Sequence, residues 1–360
     1  MVIVYCGPLW YGGTCRMRME ALQSQGHTLV GIDSSCRPLS LRGLAARALW
    51  KAGRAADTVG VNRALRRAVR HKPDAVWIDK GLTLRSDTLA YIRESLPAVQ
   101  LVHYSPDDMG GRHNQSGRYL ECVPLYDLHV TTKSFNIPEL YALGARQALL
   151  LNNAYCPVIH RPVPLSPPER ERLGAPVGFI GAFETDRAEA IWFLAENGIR
   201  VRVWGGGWGR WASKHRHSNL TVEDRYIWGD EYARAICAFD INLGFLRKLN
   251  RDLQTTRSVE IPACGGFLLA ERTQEHLRLF EEGVEAEFFA SSEELLDKCR
   301  YYLAHPDERR EIATAGRQRC IRSDYSYERQ VGMVLERLQE LREEAHGVDG
   351  LAGYASAQAP

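Results

Sequence analysis

Residues 251–271, RDLQTTRSVEIPACGGFLLAE, combine acidic, basic and hydroxyl side chains just before an apolar segment. Asp252 and Glu260 are separated by seven residues, and Arg257 lies between them. An arginine guanidinium offers a fork of N–H groups that matches phosphate oxygens. A carboxylate such as Glu260 can accept hydrogen bonds from two adjacent hydroxyls, which is the pattern a ribose presents. The stretch therefore predicts a site for a nucleotide diphosphate.

The same residues are typical of the start of a short helix. The segment TTRSVEIPAC is long enough for about two helical turns before a Gly-Gly pair ends them. Thr255, Thr256 and Ser258 can cap or line a helix start, where free backbone N–H groups attract an anion. A capping box completed by Glu260 is the alternative, but that motif needs Ser or Thr three residues earlier, where this chain has arginine.

The elements that must position these residues alternate along the chain. Short, near-continuously apolar runs, separated by segments long enough for helices, indicate parallel strands buried on both faces. The strands are predicted at residues 2–6, 28–32, 74–79, 99–104, 127–132 and 148–152, and then at 176–183, 199–207, 240–245, 266–270 and 285–290. Helical patterns at residues 188–198, 230–239 and 291–304 lie between or after strands of the second series.

The chain length favours two domains, because 360 residues exceed one typical domain. Six prolines within residues 157–176 indicate a linker. We predict a first domain at 1–160, a linker at 161–176, a second domain at 177–324, a helix at 325–345 that could pack back on the first domain, and a disordered tail at 346–360. The predicted fold class is α/β, with two doubly wound, Rossmann-like domains and an interdomain cleft at the carboxyl ends of the strands.

Several segments of the second half resemble a known family. Asp252 through Glu260, followed by IPACGGFLLAE, resembles the Glu-x7-Glu segment of GT-B glycosyltransferases, with Asp in the first place. GFIGAFETDRAEAIWFLAENGI, FEEGVEAEFF and RREIATAGRQRC, within residues 176–335, resemble the CgeB-like, spore-maturation type of these enzymes. The resemblance implies a GT-B arrangement of the two domains and a nucleotide-diphosphate sugar as donor substrate, with no cofactor.

The resemblance also implies roles for single residues. Glu260 would bind the ribose, and Asp252 would lie beside the donor sugar as a catalytic residue. Gly181 ends a strand, so a diphosphate could approach its backbone. For Trp228, a place beside the nucleobase and a place in the core remain alternatives. The donor-binding residues implied are Glu260, Arg257, Thr255, Thr256, Ser258, Gly181, Arg187 and Trp228.

The first domain offers candidates on the acceptor side. Three glycines lie between the first strand and a helix, and the resemblance implies that this loop approaches the diphosphate and the acceptor. They are Gly7, Gly12 and Gly13. An inverting transferase would also need a general base on the acceptor hydroxyl. The candidates are His103, Asp107 and Asp108 at the carboxyl end of the fourth strand, with turn capping as the alternative for the two acids.

Composition limits the partners and the compartment. A net charge of +2 gives no case for nucleic acid, and nine scattered cysteines without a CxxC fit a reducing cytoplasm. We expect neither a signal peptide nor a membrane-spanning helix. Residues 37–72 carry ten Lys or Arg and one acid, Asp57. This segment could lie peripherally on the inner membrane face or recognise an acidic acceptor, and a solvated surface is the alternative.

The sequence therefore predicts a glycosyltransferase that moves a sugar from a nucleotide-diphosphate sugar to a hydroxyl-bearing acceptor. No Asp-x-Asp occurs in the chain, and arginines with a helix dipole can offset the charge of the leaving diphosphate, so we expect no essential metal. Retention of configuration is slightly favoured, because Asp252 occupies the sugar-facing position. The alternatives are a nucleotide-sugar epimerase or hydrolase on the same scaffold, and a non-catalytic nucleotide- or glycan-binding protein.

Overall fold

The structure is a computed structural model that describes residues 1–35, 40–51 and 55–356. For residues 42, 51 and 345–356 it describes the backbone alone. The chain divides into two compact units. Unit 1 contains Met1–Asn152 and the chain from Tyr327 onward, and unit 2 contains Asn153–Ser326. The division after Asn152 falls eight residues before the boundary predicted at residue 160.

Unit 1 alternates strands and helices along the chain. Its strands are β1 (Val2–Gly7), β2 (Thr28–Asp33), β3 (Ala75–Asp79), β4 (Gln100–Ser105), β5 (Leu128–Thr131) and β6 (Ala148–Leu150). Its first helices are α1 (Thr14–Ser24), α2 (Leu41–Lys51), α3 (Val61–Ala68), α4 (Ser86–Ser95), α5 (Gly117–Cys122) and α6 (Asn136–Ala142). The strands form one parallel sheet in the order β2-β1-β3-β4-β5-β6.

Unit 2 repeats the alternation. Its strands are β7 (Val177–Ile180), β8 (Val201–Trp204), β9 (Leu220–Val222), β10 (Ile241–Gly244), β11 (Leu268–Glu271) and β12 (Glu287–Phe289). Its helices are α7 (Pro167–Leu173), α8 (Thr185–Glu196), α9 (Gly209–Ala212), α10 (Gly229–Ala238), α11 (Arg257–Ala263), α12 (Gln274–Leu279), α13 (Ser292–Ala304) and α14 (Pro306–Arg322). The parallel sheet has the order β12-β11-β10-β7-β8-β9.

Both sheets confirm the predicted fold class of two Rossmann-like units, because apolar strands are covered by helices on both faces. In β11, Leu268 and Ala270 belong to one buried cluster and Leu269 to another. Since neighbouring side chains of a strand point to opposite faces, this alternation places a core on each side of the sheet. The eleven predicted strands all occur, with bounds that differ by a few residues.

The last helix, α15 (Tyr327–Ser356), belongs to unit 1 and packs against α1. Gln25 Nε2 donates to the carbonyl of Glu328 at 2.6 Å, and the Tyr104 hydroxyl donates to Gln330 Oε1 at 3.2 Å. The helix continues beyond residue 345, although the sequence predicts a disordered tail from 346. Good helix formers such as Ala and Leu recur between the tail glycines. Residues 357–360 lie outside the described part of the chain.

The predicted linker at 161–176 contains a helix that the sequence analysis missed. Helix α7 begins with a capping box, in which the side chains of Ser166 and Glu169 bond each other's backbone N–H groups. Its two prolines occupy the first turn, where no backbone N–H is needed. A proline-rich segment can therefore start a helix when a capping residue precedes the prolines. Among the described residues, no helix is long and apolar enough to cross a membrane.

Candidate functional site

The strand order of unit 2 reverses between β7 and β10, which are adjacent in the sheet. In parallel sheets of this kind, ligands bind outside the carboxyl ends of the strands at such a reversal. The segment after β7 leads through Gly181 into α8, and the segment after β10 leads through Asp252 into α11. The two segments that the sequence analysis singled out in this half therefore start at the same edge of one sheet.

Three guanidinium groups converge at this edge. Arg187 Nη1 lies 3.6 Å and Arg247 Nε 3.0 Å from the same oxygen of Glu184, Oε1. Arg187 Nη1 also donates to the carbonyl of Ala182 at 3.1 Å. Arg257 Nε donates to the carbonyl of Ile180, the last residue of β7. One carboxylate thus bridges two arginines, while the third is held against the strand end.

The electrostatics of Arg187 reflect this crowding. The side chain is buried, with 9% of the residue exposed, and its Nε has no hydrogen-bond partner in the described part of the chain. Burial lowers the pKa of Arg187, Glu184 and Asp252 oppose that change, and the positive charges of Arg257 and Arg247 add to it. An anion that entered this cluster would relieve the repulsion among the three cations.

The start of α11 contributes backbone as well as side chains. The Thr255 amide donates to Ser258 Oγ at 3.0 Å, and the Ser258 amide donates to the Thr255 carbonyl at 3.0 Å. Ser258 Oγ also contacts His276 Nε2 at 2.7 Å, so this buried serine ties α11 to α12. The amides of Thr256 and Arg257 have no acceptor within the described residues, as is usual at a helix start.

Asp252 lies in the segment between β10 and α11. Its Oδ1 accepts from Asn250 Nδ2 at 2.7 Å, and its Oδ2 accepts from the Arg247 amide at 3.3 Å. These bonds hold the carboxylate beside the arginine cluster, where its charge is felt by Arg187. The predicted sugar-facing acid and the predicted phosphate ligands are therefore neighbours.

Glu260 is buried, with 5% of the residue exposed. Its Oε2 accepts from the Tyr232 hydroxyl at 2.7 Å, and its Oε1 lies 3.7 Å from His160 Nε2. His160 Nδ1 accepts from the Cys156 amide at 2.9 Å, which assigns the proton of the neutral ring to Nε2. Burial lowers the pKa of His160 despite the opposing charge of Glu260. One carboxylate oxygen is therefore held firmly and the other loosely.

An aromatic pair lies at the start of α10. Trp228, predicted to border a nucleobase, is 45% exposed and stacks on Tyr226 at a ring separation of 5.4 Å. It does not belong to the buried core. The Tyr226 ring lies on the backbone of Gly206, where an added Cβ would come within 2.4 Å of the ring. The pair thus adjoins the glycine-rich loop that follows β8.

Gly181 is buried for a reason of packing. A Cβ at this position would lie 2.4 Å from Cζ of Phe179. The Gly181 carbonyl accepts from Trp208 Nε1 at 2.9 Å. Any larger residue would therefore displace the ring or the turn between β7 and α8. The packing of Phe179 is thus sufficient to require a glycine at this position.

In unit 1, the glycine loop after β1 lies against a buried ion pair that sequence reasoning missed. Arg18 Nη2 contacts Asp79 Oδ1 at 3.0 Å, and both side chains are 2% exposed. The Tyr5 hydroxyl donates to the other oxygen of Asp79. A Cβ at Gly7 would come within 2.9 Å of Asp79 Cβ. Gly12 adopts a φ of +76°, and Gly13 precedes α1 as its capping residue.

The three base candidates after β4 occupy different environments. His103 is 1% exposed, and its Nδ1 lies 3.2 Å from Nδ1 of His129. Asp108 is fully buried and accepts from the amides of Gly110 and Gly111. Both therefore have structural partners, as the capping alternative for Asp108 predicts.

Asp107 is the most accessible of the three candidates. Its side chain is 30% exposed and forms a 2.5 Å ion pair with Lys80 Nζ. Lys80 follows β3 with a φ of +64°, an uncommon conformation for a residue with a side chain. The acid and its partner lie at the carboxyl edge of the first sheet, where a polar substrate could reach them.

Within unit 2, the structure brings together one set of predicted residues. Gathered at the β7–β10 edge are Gly181, Arg187, Asp252, Thr255, Thr256, Arg257 and the buried Glu260. Arg247 and Glu184 also lie at this edge, but neither was predicted as a site residue. The available signal was their position, because Glu184 follows β7 and Arg247 follows β10. Tyr232 was also missed, since nothing in the chain indicates that it faces Glu260. Within the described residues, no three His, Cys, Asp or Glu side chains cluster as a metal site would require.

Comparison with known proteins supports the second half most directly. A family described as "Glycosyl transferase-like" matches residues 187–336, which contain the arginine cluster and α11. A search of curated protein sequences finds no match.

Solved structures resemble nearly the whole chain. HepE of Anabaena in complex with UDP-glucose is 13% identical, with a TM-score of 0.63 over 94% of this chain and 100% of that chain. Sucrose-phosphate synthase from Thermosynechococcus elongatus is 13% identical, with a TM-score of 0.64 over 94% and 99%. Trehalose-6-phosphate synthase, studied for glycosyl transfer with retention, is 11% identical, with a TM-score of 0.66 over 94% and 99%. These likenesses show that the chain has the fold of GT-B glycosyltransferases.

Proposed function

We propose that the protein is a glycosyltransferase of the CgeB-like type, which transfers a sugar from a nucleotide-diphosphate sugar to a hydroxyl-bearing acceptor. The observation that carries the proposal is the convergence of Arg187, Arg247 and Arg257 beside Asp252 at the β7–β10 edge. Three guanidiniums around one small volume match the oxygens of a diphosphate. The resemblance to HepE, solved with UDP-glucose, supports the same class of donor.

Each part of the donor has a partner in unit 2. The diphosphate would bind the three arginines and the free amides of Thr256 and Arg257, with the backbone at Gly181 close by. The ribose hydroxyls would donate to Glu260, whose Oε1 is only loosely engaged by His160. The nucleobase would lie beside the exposed ring of Trp228 or its partner Tyr226.

Positive charge from arginine would replace a metal ion in this scheme. When the bond between the anomeric carbon and the phosphate oxygen breaks, negative charge develops on the leaving diphosphate. Guanidiniums fixed by Glu184 and by the carbonyls of Ala182 and Ile180 are already oriented, so they stabilise that charge without reorganising. We therefore propose that transfer continues in the presence of a chelator.

Retention of configuration is the favoured stereochemical course. The acceptor oxygen would attack the anomeric carbon on the face that the diphosphate leaves, and its proton would pass to the departing phosphate oxygen. Asp252 beside the cluster would stabilise the positive charge on the sugar. His103 and Asp108 have structural partners, and Asp107 is paired with Lys80, which weakens the case for a base in unit 1. The anomeric configuration of the product, determined by NMR, tests this choice.

The proposed compartment is the cytoplasm. Every cysteine in the described part of the chain is a free thiol, and most are buried. Burial raises the pKa of Cys6 to about 12, so this thiol stays protonated and unreactive. Such thiols suit a reducing compartment, which is also where nucleotide sugars would be available as substrates.

Nucleotide binding by a matched pair of arginine variants tests the donor site. We expect one of UDP, GDP, dTDP, ADP or CDP to raise the melting temperature of the wild type, since a ligand at about a hundred times its Kd adds roughly 2.7 kcal/mol. Arg257→Gln should lose most of that shift. The control is Arg278→Gln on α12, an exposed arginine of the same unit without an ion pair among the described residues. Equal shifts in both variants, or no shift in the wild type, would refute the site.

A further inference from the structure

Helix α2 exposes the face that a surface helix normally buries. Leu41, Leu44, Ala45 and Ala48 recur at spacings of three and four residues, which is the pattern of one apolar stripe. All four are exposed, Leu41 to 86% and Leu44 to 50%. Such a stripe usually faces the core, so its exposure indicates a surface that meets an apolar partner.

Helix α3 differs from α2, because its apolar residues are buried and its charges face outward. Val61, Leu65 and Ala68 belong to the core of unit 1. Arg63 and Arg67, one helical turn apart, are exposed. Neither arginine side chain has a hydrogen bond or an ion pair with any residue that the structure describes. The basic segment predicted from residues 37–72 thus contains a helix with an exposed apolar stripe and a helix with exposed arginines. Residues 36–39 and 52–54 lie outside the described residues.

The two arginines border a cavity of about 1080 Å³ that is strongly basic. Its cationic lining consists of Arg63, Arg66, Arg67, Arg85 and Arg118. Two acids, Asp57 and Asp87, also line it. Asp57 accepts hydrogen bonds from the amides of residues 60, 61 and 62, and Asp87 is paired with Arg66 and Arg85. The acids are therefore occupied, and the positive charge of the cavity exceeds their charge.

We propose that α2 and α3 form a docking surface for an anionic lipid bilayer. This α2–α3 surface consists of Leu41, Leu44, Ala45 and Ala48 on α2 with Arg63 and Arg67 on α3. The apolar stripe would enter the boundary between headgroups and acyl chains, and the arginines would contact lipid phosphates.

The apolar stripe favours a bilayer over a soluble anion. A free phosphate compound would use the basic cavity but would leave Leu41 and Leu44 in water. Only four residues, or five Cα-to-Cα steps, lie between Lys51, where α2 ends, and Ala56 at the rim of the cavity. That length of chain spans at most about 18 Å, so one membrane patch can contact both features. The inference goes beyond the proposed transferase and does not depend on its donor site.

Vesicle sedimentation tests the proposal. The full chain is mixed at low salt with vesicles of phosphatidylcholine containing 30% phosphatidylglycerol, and with vesicles of phosphatidylcholine alone. We expect binding to the anionic vesicles only, and weaker binding as salt is added. Arg63→Gln/Arg67→Gln should reduce partitioning on the order of 30-fold, since one basic residue at an anionic surface contributes about fivefold. Leu44→Gln should reduce it several-fold.

Matched variants in unit 2 provide the controls. Arg216→Gln/Arg278→Gln removes two exposed arginines, and Leu277→Gln changes an exposed leucine of α12. Both should bind vesicles as the wild type does, and all variants should keep the wild-type melting temperature. The proposal is overturned if anionic vesicles fail to bind at low salt, or if the control variants weaken binding equally. A different result would assign the cavity to a soluble anion instead. In that case the protein would not bind vesicles, soluble pyrophosphate would raise the melting temperature of the wild type, and Arg63→Gln/Arg67→Gln would lose that increase.

Discussion

At the scale of single residues, the proposed donor site contains a carboxylate that already contacts two of its three arginines. Glu184 Oε1 contacts both Arg187 and Arg247, and the side chain makes no capping bond to α8 although it precedes that helix. In the proposed site, an incoming diphosphate would compete with this carboxylate for the same guanidiniums. Glu184 would then hold Arg187 and Arg247 together before the donor binds and would lower the affinity for the donor.

Neutralising Glu184 should tighten the binding of nucleoside diphosphate. A partly exposed ion pair contributes up to about 1 kcal/mol, so Glu184→Gln is expected to lower the Kd on the order of fivefold in titration calorimetry. Glu189→Gln, which changes an exposed acid of the same helix, should leave the Kd unchanged. Weaker binding by Glu184→Gln would mean that the carboxylate orients the arginines rather than competing with the ligand.

At the scale of elements, the buried pair of Arg18 and Asp79 fixes α1 against β3. Asp79 receives Arg18 on one oxygen and the Tyr5 hydroxyl on the other, and the Arg18 guanidinium lies 4.1 Å from the centre of the Tyr104 ring. The loop that contains Gly7, Gly12 and Gly13 runs between these anchored elements. The pair thus anchors the strand before this loop, through Tyr5, and the helix after it, through Arg18.

Breaking this pair should destabilise unit 1 strongly. Asp79→Asn leaves the buried Arg18 charge without its partner and is expected to cost about 3–5 kcal/mol of unfolding free energy, measured by denaturant titration. Arg16→Gln on the same helix removes an exposed pair with Glu20 and should cost less than about 1 kcal/mol. A loss of under 1 kcal/mol for Asp79→Asn would contradict the anchoring role.

How far the elements could be predicted depends on how much of each one is buried. The buried strands of both sheets are apolar runs, and all of those predicted occur. Strand β9 was missed, because Leu220–Val222 is three residues long with an exposed threonine in its centre. Helix α7 is not predicted, because proline-rich segments usually interrupt helices, whereas here Ser166 caps a helix whose prolines occupy the first turn.

The part of the candidate site that could be predicted consists of residues that are close together in the sequence. Arg257 and Asp252 lie in one segment, and the strand pattern places that segment at a sheet edge. The partners of Glu260, the bridge that Glu184 forms to Arg247 and the burial of His103 depend on contacts between distant segments. No local pattern encodes such contacts. Ser258 shows the same limit, since its hydroxyl accepts from the Thr255 amide at the helix start, as a local pattern can suggest, but also contacts His276 in a distant segment.

At the scale of the whole molecule, each unit has its own parallel sheet, and candidate residues lie at the carboxyl edge of each sheet. Unit 2 holds the proposed donor ligands, and unit 1 holds Asp107, Lys80 and the glycine loop at the carboxyl edge of its sheet. The fold is that of GT-B glycosyltransferases over nearly the full chain. A transferase reaction needs both edges, whereas a nucleotide-binding protein would need only the edge in unit 2.

The most direct test of the central claim is release of nucleoside diphosphate from a sugar nucleotide. The donor is the sugar derivative of whichever diphosphate stabilises the protein, and the wild type is compared with Glu260→Gln and Asp252→Asn. We predict that the wild type releases nucleoside diphosphate slowly when water is the acceptor and faster when a hydroxyl-bearing acceptor is added. Both variants should release it on the order of a hundredfold more slowly. Tight binding of the sugar nucleotide with no release, over a broad acceptor panel, would contradict the transferase and leave a non-catalytic binding protein.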